Sequence, residues 1–286
     1  MTVHPLADER CRDRGECQMS PKAFLFLPGV IMAVVTASGA AEAQNEGLSR
    51  IIKAGIVRIA VPDNFRPFGD HGTDGKLQGY DIDTAALVAD ALGVKLDLIP
   101  VPSTDRLRVL GEGKVDLVIS SLGKTPEREQ TIDFSIAYAP FFSGVFGPEQ
   151  SSVTRPAELA DKTIAVTRGT VEDVSLTKVA PPKAKIERFD DNVDSEIAYL
   201  SWKTELIATG NVFAAEVLRN AVLKKTTMKF LLENSPCYIG VKKNEPDLLA
   251  RVNAIIAAVR KDGSLNRISE HWLKIPLGDP EHPEWQ

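Results

Sequence analysis

Apolar and polar positions run along this chain in two rounds of one rhythm. Residues 57–61 read as a β-branched strand that Pro62 stops. Residues 83–92 place Leu87, Val88 and Leu92 on one helical face, with Gly93 as the C-cap. A second strand is predicted at 95–101, a helix at 105–112 closed by Gly113, and a third strand at 115–120. The third strand is almost wholly apolar, as expected where a parallel strand is covered on both faces. This βαβαβ order predicts an open α/β sheet. The rhythm restarts with a strand at 163–167 and a helix after Thr170, and strands at 185–189 and 206–209 flank a helix near 193–200. Leu248, Leu249, Val252, Ile255, Ile256 and Val259 then share one helical face, Lys261-Asp262-Gly263 ends that helix, and a last helix covers about 264–273.

Two α/β units follow. Segment 138–147 joins them and 232–238 returns, so two crossings make a hinge with a cleft beside it. The expected division is 44–142 and 235–286 for the first lobe and 143–234 for the second. In open α/β sheets ligands sit beyond the carboxyl ends of the strands. Binding chemistry is therefore expected in the loops after Val61, Ser120 and Thr167.

The start of the chain departs from this rhythm. Residues 24–37 form an uncharged apolar run preceded by Lys22 and followed by Ala41-Glu42-Ala43, the pattern of an export signal cut after Ala43. Residues 1–18 include a run of charges of both signs from Asp8 to Glu16, unlike a short basic leader, so translation is expected to begin at Met19. Cleavage at 43 removes Cys11 and Cys17 and leaves Cys237 alone, with no partner for an internal disulfide. No cysteine sits just after the apolar run, so a lipid anchor there is not expected. The expected product is a free, soluble, monomeric protein of the periplasm.

Composition narrows the chemistry. The 286 residues are 43% apolar and 26% charged, an ordinary globular balance. With 34 Lys+Arg against 39 Asp+Glu the net charge is −5, which disfavours nucleic acid or anionic lipid as the main partner. The four histidines and three cysteines are too scattered for a zinc cluster. No cofactor is expected.

The three loops carry distinct groups. In the first, Phe65 can stack on a small ligand, while Phe68 reads as core. In the second, Thr125 is a natural N-cap and Pro126 a natural first helical residue, which puts Arg128 in the first turn. A cation gains nothing from the positive end of a helix, and a guanidinium can grip a carboxylate with two parallel bonds. The spacing equally allows Arg128 a surface ion pair with Glu127, Glu129 or Asp133. In the third, Gly169 lets the backbone approach a ligand, and the N–H groups of Thr170 and Val171 open a helix whose start suits an anion. A plain capped helix, with Asp173 completing the cap, also fits. Read together, the second and third loops predict one anion held from both lobes.

Several segments in order resemble a known family. They are 57–61, Phe65-Arg66-Pro67-Phe68, Gly75-Lys76-Leu77-Gln78-Gly79-Tyr80-Asp81-Ile82-Asp83, Gly113-Lys114-Val115-Asp116, Thr125-Pro126-Glu127-Arg128, Ile132-Asp133-Phe134-Ser135, 161–166 and Lys261-Asp262-Gly263. Together they are similar to the periplasmic amino-acid-binding proteins of ABC importers, solute-binding protein family 3. The resemblance implies a two-lobed type II periplasmic binding protein fold, two open α/β sheets joined by a two-strand hinge. It further implies a bound amino acid or related small carboxylate, a permease of the inner membrane as partner, and no reaction. By position it implies that Phe65 stacks on the ligand and that the Ser121 carbonyl accepts from its ammonium. Arg128 would hold the carboxylate with the N–H groups of Gly123 and Val171. Arg106 would reach the ligand side chain as in binders of acidic amino acids, unless it is simply a solvated helix residue.

The chain also departs from that family. Gly123 lacks the hydroxyl often found there, and Gly210 stands where an Asp usually pairs with the ammonium; Asn211 beside it is neutral and Glu205 is too far along the strand. Trp202 replaces a helix-ending glycine and is expected to cover the second lobe. Two other functions are carried: a dehydratase resembling cyclohexadienyl dehydratases, for which Glu172 is the nearest proton donor although it reads as a solvated first-turn residue, and the sensor module of a signalling system.

Overall fold

A computed structural model describes residues 46–212 and 225–281, and in it the two rounds of alternation become two separate sheets. The expected leader, its cleavage site and the start at Met19 lie outside the described residues. Helix α1 (Glu46–Ala54) leads into β1 (Ile56–Val61). Then come three short strands, β2 (Asn64–Phe65), β3 (Gly69–His71) and β4 (Leu77–Gln78), which pair antiparallel where only a loop and a turn were expected. Helix α2 (Tyr80–Leu92) begins earlier than the periodicity suggests. Gly79 has φ 140°, and a Cβ on it would lie 2.3 Å from the Phe68 carbonyl oxygen, so this glycine marks the close approach that starts the helix.

Strand β5 (Lys95–Pro100), helix α3 (Arg106–Gly111), strand β6 (Leu117–Val118), helix α4 (Pro126–Glu129) and strand β7 (Ile132–Ala139) complete the outward run of the first lobe. The chain crosses to the second lobe as β8 (Phe142–Pro148), followed by β9 (Thr163–Thr167), α5 (Val171–Val179), β10 (Lys185–Phe189), α6 (Asn192–Leu200), β11 (Leu206–Gly210) and β12 (Thr226–Asn234). It returns as β13 (Cys237–Lys242) and ends in α7 (Pro246–Lys261) and α8 (Ser264–Trp272).

The first sheet runs β5-β1-β6-β13-β7 and the second β10-β9-β11-β8-β12. In each, three strands are parallel and the two crossing strands add antiparallel. The crossings lie side by side, with the Ser235 N–H donating to the Phe141 carbonyl at 3.0 Å. Two adjacent peptide connections of this kind bend together and constitute the hinge.

Each lobe has its own core. In the first, α7 lays Leu248, Val252, Ile255, Ile256 and Val259 against the sheet residues Val57, Ile59 and Ile239. In the second, Val145, Ile164, Val166 and Leu206 pack on Leu176 of α5. Each such side chain contributes about 1.5–3 kcal/mol when fully buried, so each lobe is held together by a core of its own. Among the described residues no helix is long and apolar enough to cross a membrane. Trp202 takes the left-handed backbone position after α6 (φ 65°) and is 63% exposed, so it marks the helix stop and does not cover the lobe as expected.

Candidate functional site

The loops at the carboxyl ends of the parallel strands meet across the hinge. After β1, Phe65 is buried and stacks parallel on Phe68 with centroids 5.9 Å apart, while Phe141 of the crossing segment tilts against it at 6.3 Å. Phe68 is core, as expected, and Phe65 forms cleft wall.

After β6 the chain turns sharply. Ser121 holds a left-handed backbone (φ 41°), and its N–H donates to Asp81 Oδ2 at 2.7 Å. The Tyr138 hydroxyl donates to Asp81 Oδ1 at 2.6 Å, and the Tyr80 hydroxyl donates to the Tyr138 carbonyl at 2.8 Å. A fully buried carboxylate thus fixes the backbone of the loop that faces the ligand space. Burial pushes the Asp81 carboxyl up to about 7, against the pull of Tyr138, the Ser121 N–H and Arg106. A raised folded value means the folded chain binds this proton more tightly than the unfolded chain. Stability from this group is therefore greatest in acid and is lost as pH rises through about 7. Acidifying from pH 8 to pH 5 is expected to stabilise the wild type on the order of 2 kcal/mol more than Asp81→Asn; parallel melting curves of the two proteins would contradict this.

Arg106 rises from α3 beneath the same loop. It is 3% exposed, its Nη1 donates to the Ser120 carbonyl at 2.6 Å, and its Nε has no hydrogen-bond partner. It is not the solvated helix residue that the sequence left open. Burial lowers its pKa, and the charges of Glu172, Cys237, Tyr138 and Asp81 oppose that.

The second lobe contributes the start of α5. Gly169 has φ 69°, and Thr170 is the N-cap. The Asp173 N–H donates to Thr170 Oγ1 at 3.3 Å, the cap whose spacing the sequence shows, while Asp173 Oδ2 accepts from the Gly169 N–H at 3.0 Å, one residue before the N-cap. Arg188 Nε donates to Asp173 Oδ1 at 2.8 Å and fixes the cap from β10. Glu172, next along, corrects the sequence reading: it is 8% exposed, not solvated. Its carboxyl is raised by burial, while its own backbone N–H, Thr170, Arg106 and Arg128 pull the other way.

Arg128 lies at the seam. The Thr125 cap forms as expected and accepts the Arg128 N–H at 3.3 Å. The guanidinium is buried; Nη1 donates to the Gly123 carbonyl at 2.5 Å and Nη2 to the Gly169 carbonyl of the other lobe at 2.8 Å. It forms no ion pair with Glu127, Glu129 or Asp133 among the described residues. Burial and the nearby Arg106 charge push its pKa down to about 9. Arginine nonetheless stays charged across the physiological range, so two buried guanidiniums face this region.

The lobes close tightly on each other and leave a cavity of only about 30 Å³ between them. Of the expected residues, Phe65, Arg106, Ser121, Gly123, Thr170 and Val171 line it. Arg128 stands beside it at the seam. Asn211 does not line it, because its Oδ1 accepts the Phe142 N–H at 3.3 Å and is committed to the hinge. Gly210 is pressed by the Phe141 ring, which would lie 2.0 Å from a Cβ there. The lobes are latched at the far rim, where Asn64 Nδ2 donates to Asp191 and Asn192 Nδ2 donates to Asn64 Oδ1 at 3.3 Å and to Ser103 Oγ at 3.2 Å.

The model of bacterial extracellular solute-binding proteins, family 3, matches residues 57–275. The chain belongs to this family. It is 26% identical over 252 residues to the L-cystine-binding protein TcyJ of Escherichia coli, covering 85% of this chain and 93% of the relative. The crystal structure of the solute receptors for L-cysteine of Neisseria gonorrhoeae superposes with a TM-score of 0.74 at 30% identity, over 82% of this chain and 97% of that one. A cyclohexadienyl dehydratase of Pseudomonas aeruginosa is 30% identical over 119 residues, 41% of this chain and 44% of the enzyme.

This family-3 cleft contains residues that the sequence reading passed over. Ser103 follows β5 and Asn192 follows β10, both beyond carboxyl ends of strands, where the same rule points; Thr209 lies within β11, one residue before its end. Ser235 and Phe141 come from the hinge, for which the periodicity carried no site signal.

Proposed function

We propose that the protein is an extracytoplasmic receptor that captures a polar amino acid or related small carboxylate by closing its lobes and delivers it to an ABC permease. Arg128 carries this reading: a buried guanidinium that bonds both lobes and keeps unused N–H groups can clamp an anion only when the lobes are together. The binding functions named for the L-cystine and L-cysteine relatives support it. The test is a thermal-shift screen of the purified protein against amino acids, opines and small carboxylates. A cognate ligand at a hundred times its Kd is expected to add about 2.7 kcal/mol of apparent stability. A flat response across the screen at millimolar concentration would contradict the receptor reading.

Glu172 favours a second reading. A buried, charge-flanked carboxyl with a raised pKa at the start of α5 has the properties of a proton donor, and one relative is a dehydratase. Product formed from prephenate or arogenate, and lost in Glu172→Gln, would establish that reading over the receptor.

A further inference from the structure

We propose that Asn64, Ser103, Asp191 and Asn192 form a clasp that completes itself from the protein's own donors and acceptors, so that it steadies the closed form without a ligand and sets how long a ligand is held. The second half deepens the receptor reading above and rests on it; the first half stands alone.

The first observation is that the clasp takes nothing from outside the chain. The Asn64 carboxamide is used at both ends: Nδ2 donates to Asp191, and Oδ1 accepts from Asn192 Nδ2 at 3.3 Å. Asn192 Nδ2 donates again, to Ser103 Oγ at 3.2 Å. Each of these bonds joins the first lobe to the second, and none waits for a ligand atom. The bond to the Asp191 carboxylate is charge-assisted, the stronger kind.

The second is how the fold prepares these groups. Asn64 sits in β2, where strand pairing sets it opposite Asp70 of β3. Asp191 is the N-cap of α6: its Oδ1 accepts from the Val193 N–H at 2.7 Å and the Asp194 N–H at 3.4 Å, which leaves Oδ2 for Asn64. Asn192, the first residue of α6, is buried. Side chains already held in place lose little freedom when the lobes meet, so more of the bonding serves to hold them together.

The third is the position. Arg128 joins the lobes through Gly169 at the seam, where the ligand's charge is expected. The clasp lies at the far rim, and Asn64 and Asp191 are not among the residues that line the cavity. They act as positioning residues. Bonds that form only once the lobes meet are absent from the encounter step, so losing them speeds release and leaves capture nearly unchanged.

Asn64→Ala tests the clasp in two ways. Nitroxide labels at Thr73→Cys in the first lobe and Asp194→Cys in the second, both exposed positions, report the distance between the lobes by pulsed electron resonance, and the buried Cys237 stays unlabelled. Without ligand a minor closed-distance population is expected, and Asn64→Ala is expected to reduce it about tenfold. In stopped flow with L-cystine, L-cysteine, L-glutamine and L-arginine as probes, Asn64→Ala is expected to release a bound probe about tenfold faster, with association within about twofold of the wild type. Asp191→Ser keeps the cap but is too short to reach Asn64, so it is expected to match Asn64→Ala, and the double variant to go no further. Distances that lack a closed population or do not respond to Asn64→Ala overturn the proposal, as does release at the wild-type rate. A ligand-free melting temperature that falls in step with faster release also overturns it, since a merely structural residue would behave that way. Binding of none of the four probes counts against the receptor reading, and the label distances then decide the clasp alone.

Discussion

Arg128→Ala is expected to weaken binding of the cognate ligand by at least about thirtyfold, the lower end of the 2–5 kcal/mol that accompanies truncation of a buried charge-assisted contact. The guanidinium does two things in one place. It bonds the Gly123 carbonyl of the first lobe and the Gly169 carbonyl of the second, and it brings positive charge to the start of α5. Alanine removes the bridge and the charge together. Arg128→Lys separates them: an ammonium keeps the charge but cannot span two carbonyls and a ligand in one plane, so an intermediate affinity is expected. Isothermal titration with the ligand found in the screen measures both. An alanine variant that binds as tightly as the wild type would remove Arg128 from the site.

Gly123→Val is expected to act mainly on closure. A Cβ at Gly123 would lie 2.5 Å from Ser235 Oγ and 2.5 Å from Val171 Cγ2. Val171 belongs to the second lobe, so its share of the crowding exists only when the lobes are together, whereas Ser235 lies in the hinge crossing and can turn its hydroxyl aside. Overpacking of this kind costs about 1–3 kcal/mol, which corresponds to roughly fivefold to 150-fold in affinity. The open form escapes most of the penalty, so melting without ligand should stay near the wild type. Unchanged affinity, or a ligand-free melting temperature lowered in proportion to the affinity, would show that the cleft does not narrow at this point.

Much of the scaffold was legible because its signals are local. The alternation around 57–61 and 163–167, the apolar face of α7 and the Thr125-Pro126 helix start each depend on residues close in sequence, and each formed. The two-fold restart predicted two sheets. The crossing strands were seen as connections but not as sheet members, since antiparallel pairing of β7 with β13 and of β8 with β12 joins segments far apart in the sequence, such as Thr226 with Pro148 and Lys242 with Ile132. The small β2-β3-β4 sheet was missed because strands of two or three residues carry no period.

The site was legible where chemistry sits in a turn. Arg128, Thr170 and Gly123 stand out by spacing, and Phe65 by its loop. Burial was not legible. Glu172 read as a solvated first-turn residue and Arg106 equally well as a solvated helix residue, and it is the approach of the first lobe, with Arg106 and Arg128, that faces Glu172 and the fold of 120–121 over α3 that covers Arg106. Asn211 looked available by its neighbourhood, yet the hinge N–H of Phe142 takes its carboxamide.

Closure of two lobes about a shared anion is the claim on which everything else depends, and small-angle X-ray scattering of the wild-type protein tests it most directly. Addition of a compound shown by calorimetry to bind is expected to reduce the radius of gyration, and Gly123→Val is expected to blunt that change. Superimposable curves with and without such a compound would contradict the account.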